Sequence, residues 1–167
     1  MKIIDVDATN FQQIKKDCQS CTYWHECDAA DPTEARRSMF ANARLKGKLA
    51  VDDSGTAIGF VQYGPLELYQ EFARLRQGFG TELIPGAWVI TCLSTDKGHR
   101  GKGIAKALVA ALIDEASAQG CVLEASGMED ANFEQVSVGP AELYRQLGFQ
   151  ELARFRDKYG VNVLLRK

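Results

Sequence analysis

At 167 residues the chain fits a single domain, 1–167, and is too short for two ordinary ones. With 46% hydrophobic and 25% charged residues it has the balance of a soluble globular protein, able to bury a core without disulfide staples. A formal net charge of −2 gives no general attraction to nucleic acid or to an anionic membrane, and no apolar run is long enough to span a bilayer. The segment Met1-Lys2-Ile3-Ile4-Asp5 turns polar too soon for a secretory leader, so the five cysteines are expected as free thiols in a reducing cytoplasm.

In chain order, residues 2–6 read as a short strand. Thr9 with Gln12 makes a capping box before a helix carrying Phe11 and Ile14. Asp31-Pro32-Thr33-Glu34 is a stronger start: Asp31 caps, Pro32 suits the first helical position, and Glu34 reaches back. That helix is expected to run to about Lys46 and stop at Gly47. Residues 49–51 and 56–63 flank Asp52-Asp53-Ser54-Gly55 as a hairpin, and Gly64-Pro65 ends its second strand. Residues 66–80 are ambiguous, partly helical and rich in aromatic and charged side chains. Residues 87–93 are nearly continuous in apolar character, as in a strand covered on both faces. A helix follows over 101–119, with Ile104, Leu108 and Leu112 at four-residue steps, and it stops at Gly120. Strands are expected over 121–125, 149–155 and 161–165, with a short helix over 140–147 closed by Gly148. The order is β-α-α-β-β-β-α-β-α-β-β, a mixed α/β (α+β) layout around one central sheet.

The chemistry-bearing stretch is Arg100-Gly101-Lys102-Gly103-Ile104-Ala105, between a buried strand and an amphipathic helix. Its glycines let the backbone turn tightly, and the first N–H groups of the helix have no intrahelical partners. Those amides and the helix dipole favour an anion, and Lys97, His99, Arg100, Lys102 and Lys106 add charge. The dimensions suit a pyrophosphate. Two other phosphate loops do not fit. A P-loop needs Lys-Ser or Lys-Thr after its glycine run. A dinucleotide fingerprint needs a third glycine where Lys106 stands.

Arg100-x-x-Gly103-x-Ala105 resembles the acyl-CoA signature, Gln/Arg-x-x-Gly-x-Gly/Ala, of the GNAT superfamily of N-acyltransferases. Tyr144-Arg145-Gln146-Leu147-Gly148-Phe149 is similar to that superfamily's Tyr-x-x-x-Gly-Phe element. Cys18-x-x-Cys21-x-Tyr23-Trp24 with the segment 59–65 is similar to an uncharacterised bacterial subgroup. The resemblance implies a mixed sheet of about seven strands flanked by about four helices. It implies acetyl-CoA as co-substrate, a small-molecule or peptide amine as acceptor, and often a homodimer. The backbone at Leu93 and Thr95 is implied to pair with the pantetheine arm. The N–H groups of Arg100, Gly101, Lys102, Gly103, Ile104 and Ala105 are implied to meet the pyrophosphate.

Transfer by direct attack needs a deprotonated amine and a protonated leaving thiolate. Tyr144 matches the usual donor; read as a lone helix residue, it would only fill core. The base is not readable. Relatives carry an acidic residue on the strand that here reads 88–93, and this chain has none. Glu67, Glu71 and Glu82 lie on the connection before it, with Glu67 the first candidate and a water relay the alternative. Relatives often carry Asn where Val138 stands; the long stretch 126–140 leaves Asn132 or Ser137 to substitute.

Cys18, Cys21, His25 and Cys27 offer soft ligands, but their spacing matches no familiar zinc site, so no metal is expected and free thiols are the plainer reading. Cys92 is a core residue before it is a nucleophile. Tyr23, Trp24, Tyr63, Leu66, Tyr69 and Phe72, with Glu67 and Glu71, are expected to wall a cleft for a cationic amine. Two other functions fit the sequence less well: a non-catalytic acyl-CoA sensor and a zinc-stabilised interaction module.

Overall fold

The apolar strand over 87–93 is buried on both faces because helices cover both sides of one sheet. A computed structural model describes residues 1–25 and 27–167. Its strands are β1 (Lys2–Asp5), β2 (Lys46–Val51), β3 (Ala57–Pro65), β4 (Trp88–Thr95), β5 (Leu123–Glu129), β6 (Gln150–Asp157) and β7 (Gly160–Arg166). They form a seven-stranded sheet in the order β1-β2-β3-β4-β5-β7-β6. Every neighbouring pair is antiparallel except β4 with β5. Helices α1 (Lys16–Gln19), α2 (Pro32–Ala41) and α3 (Gln70–Gly78) lie on one face; α4 (Ile104–Ala118) and α5 (Ala141–Gln146) lie on the other. The helices number five among the described residues, one more than expected, the addition being α3 in the ambiguous stretch 66–80.

Each face has its own core. Ile104, Leu108, Val109, Leu112 and Ala116 bring the apolar stripe of α4 onto Val61, Ile90 and Tyr63. Phe11, Trp24, Phe40 and Phe72 fill the opposite face against Phe60, Val89 and Leu164. Burial of such side chains, about 1.5–3 kcal/mol each, is the main stabilising term.

The parallel pair positions the site. β4 and β5 share three residue pairs, Trp88↔Leu123, Val89↔Glu124 and Ile90↔Ala125, and then diverge. β4 stays paired with β3 out to Gly59↔Thr95, with one extra residue, Thr91, between Ile90↔Tyr63 and Cys92↔Gln62. The bulge bends β4 away from β5, leaving a wedge beyond Ile90.

Several local expectations are corrected. Thr9 does not cap. Asp7 takes the N–H groups of Thr9 (2.7 Å) and Asn10 (3.2 Å), and only a 3₁₀ turn, Phe11–Gln13, follows. The Asp31 cap holds, accepting from Glu34 N at 3.1 Å, but α2 ends at Ala41. The chain reverses through Ala43, at φ 56°, so Gly47 lies inside β2 rather than stopping a helix. A Cβ on Gly47 would stand 3.0 Å from the Phe60 ring and 3.1 Å from that of Phe40, which is why the position has no side chain. The ambiguous stretch 66–80 is a 3₁₀ turn, Leu66–Leu68, followed by α3.

Candidate coenzyme and acceptor site

The start of α4 is built by two left-handed glycines. Gly101 (φ 76°) and Gly103 (φ 78°) adopt a conformation that costs an L-residue roughly 1–2 kcal/mol, and nothing lies within 4 Å of a Cβ built on either. Gly103 is the N-cap and supplies no side-chain bond. The first bond of α4 runs from Ala107 N to Gly103 O, at 2.9 Å. The N–H groups of residues 101–106 therefore have no acceptor among the described residues. Six unpaired amides at the positive end of a 15-residue helix make an anion cradle, open for a ligand to approach.

Arg100 and Lys97 stand beside this cradle, both joined to Glu134: Lys97 at 2.8 Å, Arg100 by a close ion pair. Lys102 and Ala105 lie on the same turn, and Ile104 turns into the core. The cradle sits at the Thr95 end of β4, next to the wedge. Leu93 and Thr95 take their expected places on β4, pairing with Val61 and Gly59 of β3. On the wedge side, however, Leu93 N donates to Ser137 O at 2.8 Å. That amide is therefore already spent within the chain.

Tyr144 sits on α5, 1% exposed, its ring 5.4 Å from that of Phe149. A Cβ on Gly139 would stand 3.1 Å from its hydroxyl oxygen, so the phenol faces the wedge-filling segment. Burial raises its pKa, and a backbone hydrogen bond from Gly139 offsets this in part. The phenol is held protonated through the neutral range, the state a proton donor needs. Leu93, Ser137, Gly139 and Tyr144 thus meet in the wedge.

Glu67 is not in that group. It is exposed on the 3₁₀ turn before α3, and its Oε1 accepts from Gly86 N at 2.9 Å, at the Trp88 end of β4. Glu71 instead lines a cavity of ≈ 260 Å³ with Thr22, Tyr23, His25, Cys27, Asp28 and Gln70. The expected aromatic wall is corrected here. Tyr23 alone is exposed; Trp24, Leu66, Tyr69 and Phe72 are core. Tyr63 points to the α4 face, where its hydroxyl donates to Glu115 at 2.6 Å.

Sequence reasoning missed a buried polar chain behind this cavity. Arg36, 2% exposed, donates to Gln62 Oε1 at 2.7 Å, and Gln62 donates to Thr91 Oγ1 at 3.1 Å. The Arg36 guanidinium also lies 3.4 Å from His25 Nε2. Burial first, then Arg36 and Arg44, push the His25 pKa down to about 4. The chain ties α2 to the bulge of β4. Cys92 is buried beside it, and loss of solvent pushes its thiol up to about 12, unfavourable for a nucleophile. All five cysteines are free, and among the described residues no three His, Cys, Asp or Glu side chains gather to hold a metal. Among them, too, no helix is long and apolar enough to cross a membrane.

The family model described as "Acetyltransferase (GNAT) family" matches residues 11–149. No curated protein matches the sequence. Among solved structures, the chain is similar to a ribosomal-protein-alanine N-acetyltransferase from Brucella melitensis, with 19% identity, TM-score 0.64, and 100% of this chain and 99% of that one covered. It is similar to a GCN5-related N-acetyltransferase from Kribbella flavida, with 18% identity, TM-score 0.65, and coverage of 99% and 96%. It is also similar to a polyamine N-acetyltransferase from Drosophila melanogaster, with 14% identity, TM-score 0.64, and 99% of both chains covered. At these identities the likeness is one of fold.

Proposed function

The chain belongs to the acetyltransferase (GNAT) family, and on that premise we propose that it transfers an acetyl group from acetyl-CoA to a primary amine by direct attack within a ternary complex. The observation that carries the coenzyme half is the row of unpaired N–H groups at residues 101–106, with Arg100 alongside. The amides of Gly101, Lys102, Gly103, Ile104 and Ala105 hold the diphosphate; the expected contact through Arg100 N is instead taken by Lys97 O, at 3.4 Å, which leaves Arg100 its guanidinium. The β4 edge at Leu93 and Thr95 takes the pantetheine arm.

In the transfer, the amine nitrogen bonds to the thioester carbonyl carbon and the carbon–sulfur bond breaks. Tyr144 gives its proton to the departing sulfur, a role supported by its protonated phenol in the wedge. The proton lost by the amine goes to a carboxylate of the β3–β4 connection. Glu67 is the first to test, since it stays exposed while Gly86 N holds its carboxylate at the Trp88 end of β4.

The acceptor is a cationic amine, either a small molecule or a peptide N-terminus. This rests on the cavity beside α3, where Asp28 and Glu71 stand with the exposed Tyr23 ring. Five free thiols support a reducing, cytoplasmic setting. No observation favours a coenzyme sensor without turnover.

The test is the release of CoA thiol from acetyl-CoA across a panel of amines, with Tyr144→Phe alongside. Cationic amines should react. Tyr144→Phe should lower kcat by about 10²-fold at nearly unchanged acetyl-CoA affinity. Reaction with anionic acceptors alone would refute the acceptor class, and full turnover by Tyr144→Phe would refute the donor.

A further inference from the structure

The segment between β5 and α5 occupies the wedge that the coenzyme would need. Near the cradle, Asn132 shapes a turn: its side-chain oxygen accepts from Glu134 N at 3.0 Å, and its carbonyl accepts from Gln135 N at 2.8 Å. The turn presents the Glu134 carboxylate to Lys97, at 2.8 Å, and to the Arg100 guanidinium. These two cations, Lys97 first, hold the Glu134 carboxyl below the usual carboxylate range.

Further along, the segment bonds to both diverging strands. Ser137 O accepts from Leu93 N of β4 at 2.8 Å, and Gly139 O accepts from Met128 N of β5 at 3.0 Å. Met128 also forms an isolated parallel bridge with Pro140. Val138, between these contacts, is 9% exposed. Gly139 is pressed so close that a Cβ would stand 2.8 Å from Leu93 Cδ2 and 3.1 Å from the Tyr144 hydroxyl.

An anion on the cradle's cations, a carbonyl on the β4 edge and a backbone turn on the proton donor thus follow one another along a single strap. We propose that residues 130–140 are a self-inhibitory strap that fills the acyl-CoA groove, with Glu134 standing in for the diphosphate and the Ser137 carbonyl for a pantetheine amide oxygen. The proposal rests on the reading of the groove as the coenzyme site. Acyl-CoA then binds by displacing the strap, which frees Leu93 N and uncovers the Tyr144 hydroxyl. The apparent dissociation constant is the intrinsic one divided by the fraction of molecules with the strap lifted. The Glu134 ion pairs are exposed, so each contributes little. The latch is weak enough for a ligand with several phosphate oxygens to outcompete it.

The experiment is calorimetric titration of acetyl-CoA into the full-length wild type and the Glu134→Gln variant, together with amide hydrogen exchange at Leu93 in both free proteins. Glu134→Gln removes only charge from an exposed side chain, so the fold should be kept. The strap predicts about fivefold tighter binding by the variant, from the two surface ion pairs lost, and faster exchange at Leu93. Equal or weaker binding by the variant, with wild-type exchange at Leu93, overturns the strap while leaving the groove as the coenzyme site. Absence of acetyl-CoA binding by both proteins overturns the coenzyme reading itself, and the strap with it.

Discussion

Two residues show how burial sets protonation in this molecule. Tyr144 loses solvent and keeps its proton, while His25 loses solvent beside Arg36 and refuses one. The second has a consequence for stability. The folded imidazole takes its proton at about pH 4, whereas the unfolded one does so near the ordinary histidine value of 6.5. Between these values the unfolded chain binds the extra proton, so stability falls on acidification by up to about 1.4 kcal/mol per pH unit. Denaturant melts from pH 7 to 4.5 should show this slope, and His25→Gln should flatten it. Cys92 illustrates the opposite outcome of a candidate nucleophile: with its thiol raised to about 12 in the core, Cys92→Ala should retain turnover, and mass spectrometry should find no acyl-enzyme. At this scale the sequence was legible where backbone chemistry is local. The glycines at 101 and 103 announce their left-handed turn, and Asp31 announces its cap. Glu67 was not legible, because a carboxylate's role depends on which distant N–H it meets, here that of Gly86.

Among the elements, the turn into α4 and the divergence of β4 from β5 do the positioning. The amphipathic stripe of α4 and the apolar run of β4 were both readable, since each is a periodic pattern written in adjacent residues. The Thr91 bulge was not, because it arises from register against β3. Nor was the path of the segment before α5. Its length left Asn132 or Ser137 as substitutes there, and Ser137 does reach Leu93, but through a carbonyl that composition cannot reveal. Gly103→Ala tests the strain: a left-handed alanine should cost roughly 1–2 kcal/mol, lowering the melting temperature by a few degrees, and it should weaken acetyl-CoA binding as well. Circular dichroism melts alongside coenzyme titration give both quantities.

The whole molecule is one sheet whose two halves meet at only three residue pairs. Glu124 secures that junction. It is fully buried on β5 and holds Arg76 of α3 at 2.6 Å and Arg166 of β7 at 2.7 Å. Removing the carboxylate leaves the Arg76 guanidinium buried without its partner, a loss of about 3–5 kcal/mol. Glu124→Leu should therefore lower the melting temperature by roughly 10 °C; a change within a degree or two would mean that water relieves the buried charge. The overall layout, a mixed sheet with helices on both faces, was legible from element order alone. What escaped was how the halves are tied, since Glu124, Arg76 and Arg166 lie far apart in the chain. On the proposed reading, the unpaired amides at residues 101–106 grip the coenzyme's diphosphate. Titrating acetyl-CoA into isotope-labelled protein and following those six amide resonances tests it most directly. All six should shift together and saturate with the binding isotherm, whereas binding that leaves them in place, or no binding at all, would contradict the account.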